Sequence, residues 1–242
     1  MSEWLRREKW VGFYEGSYAP HLKSDGTDAA EGTEPSEKLP WRSHAPASQL
    51  LAFLDTSVLS LSKMRALELG CGTGENLVAL AQVFDFVCGV DIVQEAVKIS
   101  EAALKQALIP ASTAQVICAD IFQLSPDVRL VDQGSWQFDF VFDCQCFHCL
   151  YQVDGRAAAH VIAKLLAPGG YLLMLTGNSE EEAARGPVQL SREEVLHAFD
   201  GTGLICKELS STRFDWTDTY RRQDFKDPPL AWCSLWMKPE LG

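Results

Sequence analysis

The chain has 242 residues, 47% of them apolar and 22% charged, which excludes both a wholly disordered and a collagen-like chain. That length suits one sizeable α/β domain better than two small ones. The 33 acidic against 21 basic residues leave a net charge of −12; such an excess repels phosphate backbones, so no nucleic acid partner is expected.

The first 46 residues differ from the rest. Trp4, Trp10, Phe13, Tyr14 and Tyr18 crowd the start, a polar stretch at about 23–38 follows, and Leu39-Pro40-Trp41 ends it. The polar stretch buries too little apolar surface to offset its ordering entropy, so a mobile loop is expected there. From residue 47 to 242 the pattern is that of a single domain. Helical spacing predicts a helix over 47–54, and a short apolar run predicts a strand over 65–69. A helix over 75–83, a strand over 86–90 and a helix over 93–107 follow, and Pro110 breaks the chain. Further strands are predicted at 114–119 and 138–142. A helix over 156–166 is expected to stop at Pro168-Gly169-Gly170, before a strand at 171–176. Ser191 and Glu194 have the spacing of a capping box and open another helix. Strands at 204–210 and 230–237 come last, with no obvious helix between them, so they are expected to pair antiparallel. Strands alternating with helices imply a mostly parallel sheet covered on both faces.

No apolar run reaches about 18 residues, so no membrane span is expected. The first ten residues are charged and lack a signal-peptide core. Eight cysteines are spread through the chain, and Cys88, Cys118, Cys206 and Cys233 sit in strand-like runs. Buried free thiols without a signal peptide point to a reduced, cytoplasmic protein.

The segment Glu68-Leu69-Gly70-Cys71-Gly72-Thr73-Gly74 falls at a strand-to-helix turn. Glycines at alternate positions permit positive φ and close approach of a ligand to the backbone. In open α/β sheets ligands bind beyond the carboxyl ends of the strands. A dinucleotide fingerprint would require a third glycine at position 75, where Glu75 stands and would repel a pyrophosphate. No Gly-Lys-Ser/Thr follows, so a P-loop is excluded too. The turn suits a nucleoside cofactor without phosphates. Asp91 stands 21 residues after Gly70, at the end of the second strand, where a carboxylate can accept hydrogen bonds from ribose hydroxyls.

Together, Glu68-x-Gly70-x-Gly72-x-Gly74, Asp91, Ala119-Asp120-Ile121, Phe138-Asp139-x-x-x-Asp143 and Pro168-Gly169-Gly170 resemble a class I S-adenosylmethionine-dependent methyltransferase over about residues 45–176. The resemblance implies a Rossmann-like fold: a seven-stranded, mostly parallel sheet with an antiparallel last strand and helices on both faces. It implies that Gly70, Gly72 and Gly74 contact the methionine and ribose parts of S-adenosylmethionine. Asp91 with Ile92 would lie at the ribose, Asp120 at the adenine amino group with Ile121 on the ring, and Glu68 and Asp143 nearer the methionine end. An acidic lining suits a net-cationic cofactor. Each residue also has a plainer reading: Glu68 braces the turn, Asp91 caps a helix, Asp120 is a loop residue and Asp143 is structural.

Methyl transfer is an in-line displacement at a good leaving group, so the protein mainly aligns the reactants and excludes water. A base is needed only if the nucleophile must lose a proton. Asp143 and His148 are the candidates, His148 because its unperturbed pKa lies near neutrality. Cys144, Cys146, His148 and Cys149 are too cramped for a zinc site, and no metal is expected. Trp10-x-x-Phe13-Tyr14 with Leu39-Pro40-Trp41 is similar to the start of the thiopurine, thiol, halide and tellurite methyltransferases. There this segment forms a lid, and the match implies that Trp41 covers the cofactor. The plainer reading is a helix docked by its aromatic residues. The stretch 211–229, with Arg213, Trp216, Tyr220, Arg221, Arg222 and Phe225, either holds an anionic or flat acceptor or is a solvated loop. The expected activity is methylation of a small molecule, first a thiol or related soft nucleophile; a peptide acceptor and a non-catalytic scaffold are the alternatives.

Overall fold

The apolar runs assemble into one sheet in the computed structural model, which describes residues 3–17, 39–56, 64–126, 136–182, 187–222 and 225–240. The polar stretch expected to be mobile at 23–38 lies outside the described residues. In chain order the elements are α1 (Glu3–Tyr14), α2 (Ser48–Thr56), β1 (Arg65–Leu69), α3 (Glu75–Ala81), β2 (Phe86–Asp91), α4 (Gln94–Gln106) and β3 (Ala114–Cys118). After a 3-10 turn (Ile121–Gln123) come β4 (Phe138–Cys144), α5 (Phe147–Leu165), β5 (Leu166–Asn178), β6 (Gln189–Leu190) and α6 (Arg192–Ala198). The chain closes with β7 (Ile205–Arg213), α7 (Asp218–Arg222) and β8 (Leu230–Met237).

The sheet order is β3-β2-β1-β4-β5-β8-β7, with the two-residue β6 beside the end of β5. The first five strands run parallel, and β8 is antiparallel to both neighbours, β5 and β7. This is the expected Rossmann-like architecture, with β6 as an addition.

Alternation along the strands builds a core on each face. Leu67, Leu69 and Val141 point to the α5–α6 side, where Phe147, Phe199 and Trp236 gather; the Phe199 and Trp236 rings stack at 4.3 Å. Ala66, Phe140 and Phe142 point to the α2–α3 side with Leu50, Leu77 and Leu80. There Phe53 and Phe84 stack on Phe140 at 5.0 and 5.3 Å. A third cluster joins the N-terminus to the domain: Tyr14 and Leu39 pack on Val93 and Ala96, with Trp10, Phe13, Trp41 and Ile92 around them.

Two elements differ from expectation. Helix α5 begins at Phe147, not at 156, because it is two helical pieces joined at Asp154, whose φ of −163° and ψ of 92° are non-helical. The Asp154 carboxylate accepts from the Ala157 N–H at 2.9 Å and so caps the second piece. Strand β5 begins at Leu166, so Pro168-Gly169-Gly170 lies inside it, at an irregularity between the Leu166–Phe138 and Tyr171–Phe140 pairings. The capping box at α6 forms as expected, with Glu194 N–H donating to Ser191 Oγ at 3.1 Å and Ser191 N–H to Glu194 Oε2 at 2.7 Å.

Lys238 closes the far end of α5. Its Nζ donates to the Ala163 and Leu166 carbonyls at 2.8 and 2.7 Å. A cation on terminal carbonyls stabilises a helix C-terminus. Lys238→Met keeps the aliphatic stem and removes both bonds. It is expected to lower stability by about 1–2 kcal/mol, read as a shifted urea midpoint with an unchanged slope.

Candidate active site

The glycine turn lies between β1 and α3 at the carboxyl end of the sheet. Gly70, Gly72 and Gly74 all have positive φ (63°, 55° and 89°). Cys71 N–H donates to Val90 O at 3.0 Å, which fastens the turn to β2. Ser100 Oγ on α4 donates to Gly72 O at 3.0 Å.

Asp91 ends β2 beside this turn. Its Oδ2 accepts from Gly72 N–H at 3.0 Å and its Oδ1 from Val93 N–H at 2.9 Å. Each carboxylate oxygen has a second lone pair for a ligand. Burial raises the Asp91 pKa, and the backbone N–H groups oppose that rise. Ile92 follows in the third cluster. Asp120 opens the 3-10 turn and accepts from Phe122 N–H at 3.0 Å, and Ile121 beside it is buried.

Glu68 points to the α3 side, where Asn76 Nδ2 donates to its Oε1 at 3.0 Å. Its Oε2 is buried without a hydrogen-bond partner. Desolvation holds its pKa well above the ordinary value. Asp143 takes the opposite face at the end of β4. Its Oδ1 accepts from the Cys146 and Phe147 N–H groups at 3.2 and 3.0 Å and so caps α5. It is fully buried, and desolvation pushes its pKa up to about 7. This structure therefore presents Asp143 as a buried cap; its side chain is not open to an acceptor.

His148 also departs from the role considered for it. Helix α5 starts one residue earlier, which turns the ring inward, and it is 2% exposed. Its Nδ1 accepts from the Gly177 N–H at 3.0 Å. Burial pulls its pKa down to about 3. A group so weakly basic, tied to β5, is ill suited to take a proton at neutral pH.

The roof comes from the N-terminus. Trp41 meets the rings of Phe13, Trp10 and Tyr14 at 5.0, 5.6 and 6.3 Å. A Cβ built on Gly72 would lie 3.4 Å from the Tyr14 hydroxyl and 3.9 Å from Trp41 Nε1. Arg42 Nε donates to Glu75 Oε1 at 2.8 Å, and Thr73 Oγ1 donates to Glu75 Oε2. Glu75, which excludes a pyrophosphate, thus anchors the roof to the turn.

A cleft opens between the turn and the roof. Its outer wall is formed by Cys144, Gln145, Leu175, Phe214 and Asp215. Gln145 has a φ of 67°, a strained value for a residue with a side chain. Gln145 carries no local sequence signal, and none singles out Phe214 or Asp215 within the stretch 211–229; tertiary packing brings all three to the turn. The stretch 211–229 does not line the cleft with its cations. Arg213 lies 3.8 Å from Asp227, Arg221 lies over Trp216, and Tyr220 is buried against Phe225. Among the described residues no group of three or more His, Cys, Asp or Glu side chains is placed to hold a metal.

Residues 67–174 match the methyltransferase domain family model. The chain is 32% identical over 178 residues to a probable thiol methyltransferase 2 of Arabidopsis thaliana, covering 71% of this chain and 73% of that protein. The chain belongs to the class I S-adenosylmethionine-dependent methyltransferases. It is also 32% identical over 140 residues to thiocyanate methyltransferase 1 of the same plant, covering 57% of this chain and 56% of that one. Among solved structures, the magnesium protoporphyrin IX methyltransferase of Synechocystis with bound S-adenosylmethionine shares the fold at a TM-score of 0.56 and 16% identity, over 79% of this chain and 75% of that one.

The cofactor of this methyltransferase is S-adenosylmethionine, and the residues present suit it. Buried carboxylates at Glu68, Asp91 and Asp143 surround the turn, and a cationic ligand offsets their charge. Glu68 Oε2 and Asp143 Oδ2 are buried oxygens without protein partners. Such oxygens are costly to leave unpaired. No helix among the described residues is long and apolar enough to cross a membrane.

Proposed function

We propose that this methyltransferase acts on a small molecule with a soft nucleophile, first of all a thiol. When bound, S-adenosylmethionine supplies a methyl group on a sulfonium. In this reading Gly70, Gly72 and Gly74 admit the cofactor against the backbone, and Asp91 with Ile92 receives its ribose. Asp120 and Ile121 receive the adenine, Glu68 offers its unpaired Oε2 behind the methionine end, and Trp41 covers the site. Asp143 and His148 act as positioning residues: one caps α5 behind Gly70, the other ties that helix to β5. Residues 1–46 serve as a lid and 47–242 as the methyltransferase domain. The eight cysteines are all free, which fits a reducing cytoplasm.

The observation that carries the small-acceptor reading is the aromatic roof. With Trp41 and Tyr14 over Gly72, the cleft that remains beside Cys144, Gln145 and Phe214 has the dimensions of a small-molecule site. The thiol comes from the name of the relative matched over 178 residues; the other is named for thiocyanate. The low basicity of His148 leaves any proton on the acceptor to another group.

The test is transfer of a labelled methyl group to hydrosulfide, an aromatic thiol, thiocyanate, iodide and a basic peptide. Label is expected in the thiols and not in the peptide. Label in the peptide alone would overturn the proposal.

A further inference from the structure

The acceptor wall carries a carboxylate that the cofactor assignment does not use. Asp215 follows β7 and faces the cleft with Cys144, Gln145 and Phe214. Its Oδ2 accepts from the Ser48 N–H at 2.9 Å, at the start of α2, and this fixes the side chain. Its Oδ1 has no hydrogen-bond partner among the described residues, and no described cation lies within ion-pair distance of it. The cation that lines the same cleft, Arg42, is committed to Glu75 at 2.8 Å. Among the described residues this end of the cleft is therefore net negative, and Asp215 Oδ1 has no partner there.

A negative wall disfavours an acceptor that enters as an anion and favours one that enters neutral. A neutral thiol must then shed its proton as it is methylated. From the geometry of this wall, and resting on the proposed thiol reading, we infer that Asp215 receives that proton and so selects protonated thiols over acceptor anions such as thiocyanate and iodide. The balance is simple. The acceptor sulfur forms a new carbon–sulfur bond as the sulfonium–carbon bond breaks, with that bond's electron pair leaving on the departing thioether. The S–H electron pair stays on the acceptor sulfur, and the proton passes to Asp215 Oδ1 and then to water. The positive charge of the donor and the negative charge of Asp215 disappear together, which suits a cleft partly shielded from water. No oxidant or further reactant is required.

Thiocyanate and iodide have no proton to lose, so the two acceptor classes respond differently to removal of the Asp215 charge. Asp215→Asn retains an oxygen for the Ser48 N–H and removes the charge. Turnover of an aliphatic thiol is expected to fall about a hundredfold, the ordinary scale of a general base. Turnover of thiocyanate and iodide is expected to hold or rise. A second reading avoids turnover altogether. Thiocyanate is expected to bind the S-adenosylhomocysteine complex of Asp215→Asn at least about tenfold more tightly than that of the parent protein, by calorimetry. Thermal unfolding of both proteins controls for the α2 contact. Equal losses for thiol and anion would reduce Asp215 to a structural cap and overturn the inference, as would no change for either. If the parent methylates no thiol or anion at all yet binds the cofactor, the acceptor class itself fails, a result distinct from any effect of the variant.

Discussion

Asp91→Ala is expected to weaken S-adenosylmethionine binding by about a hundredfold or more, roughly 2.8 kcal/mol at about 1.4 kcal/mol per decade. Two losses combine. The carboxylate accepts from the Gly72 and Val93 N–H groups, so its removal leaves buried donors unpaired, a cost of about 1–3 kcal/mol in the folded protein. It also removes the acceptor proposed for the ribose hydroxyls, and a negative charge that favours a cationic ligand. Calorimetric titration with S-adenosylmethionine and S-adenosylhomocysteine on the parent, Asp91→Ala and Asp91→Asn separates the two. Asp91→Asn keeps the shape and one acceptor oxygen, so it is expected to fall between the others in affinity. If Asp91→Ala binds as tightly as the parent protein, the ribose assignment is wrong, whatever happens to stability.

The glycine turn and Asp91 were legible in the sequence because their chemistry is local. Positive φ demands glycine at a short strand-to-helix turn, and the distance to Asp91 is set by one helix and one strand. The helix-capping pair Ser191 and Glu194 was legible for the same reason. His148 was misread because its role depends on where α5 begins. The sequence pattern put residue 148 in a loop after β4, but Asp143 caps the next N–H groups and starts the helix at Phe147. That turns the imidazole from the cleft to the core. Asp143 itself carries the positional signature of a cofactor residue and the hydrogen bonds of a cap, and only the structure separates the two. Asp215 was illegible in principle. It lies 145 residues after Gly70 and reaches the cleft only because β7 pairs with β8, which pairs with β5. No local pattern encodes that approach. The roof was half legible: the aromatic residues were visible, but the Arg42–Glu75 pair that fixes them to the turn was not.

Gly74→Ala is expected to damage the site through packing as well as backbone strain, and a second glycine separates the two causes. Gly74 has a φ of 89°, and a Cβ there would lie 2.9 Å from Ser100 Cα. That atom belongs to the backbone of α4 and cannot swing aside. The left-handed conformation costs a side-chain-bearing residue about 1–2 kcal/mol, and overpacking against a fixed neighbour adds about 1–3 kcal/mol. The expected loss of stability is therefore about 2–5 kcal/mol. Gly201 has a similar φ of 78° with nothing within 4 Å of its Cβ position, so Gly201→Ala isolates the backbone cost at about 1–2 kcal/mol. Urea unfolding of the two variants gives the difference directly. Cofactor affinity gives a second one. Ser100 Oγ holds the Gly72 carbonyl, so a Cβ at Gly74 that pushes α4 outward also moves the backbone expected to receive the methionine and ribose. Gly74→Ala should bind S-adenosylmethionine at least about tenfold more weakly, and Gly201→Ala should bind it as the parent does. Equal destabilisation by both variants would show that α4 yields to the methyl group. The close contact at Ser100 would then not be what holds the turn in shape.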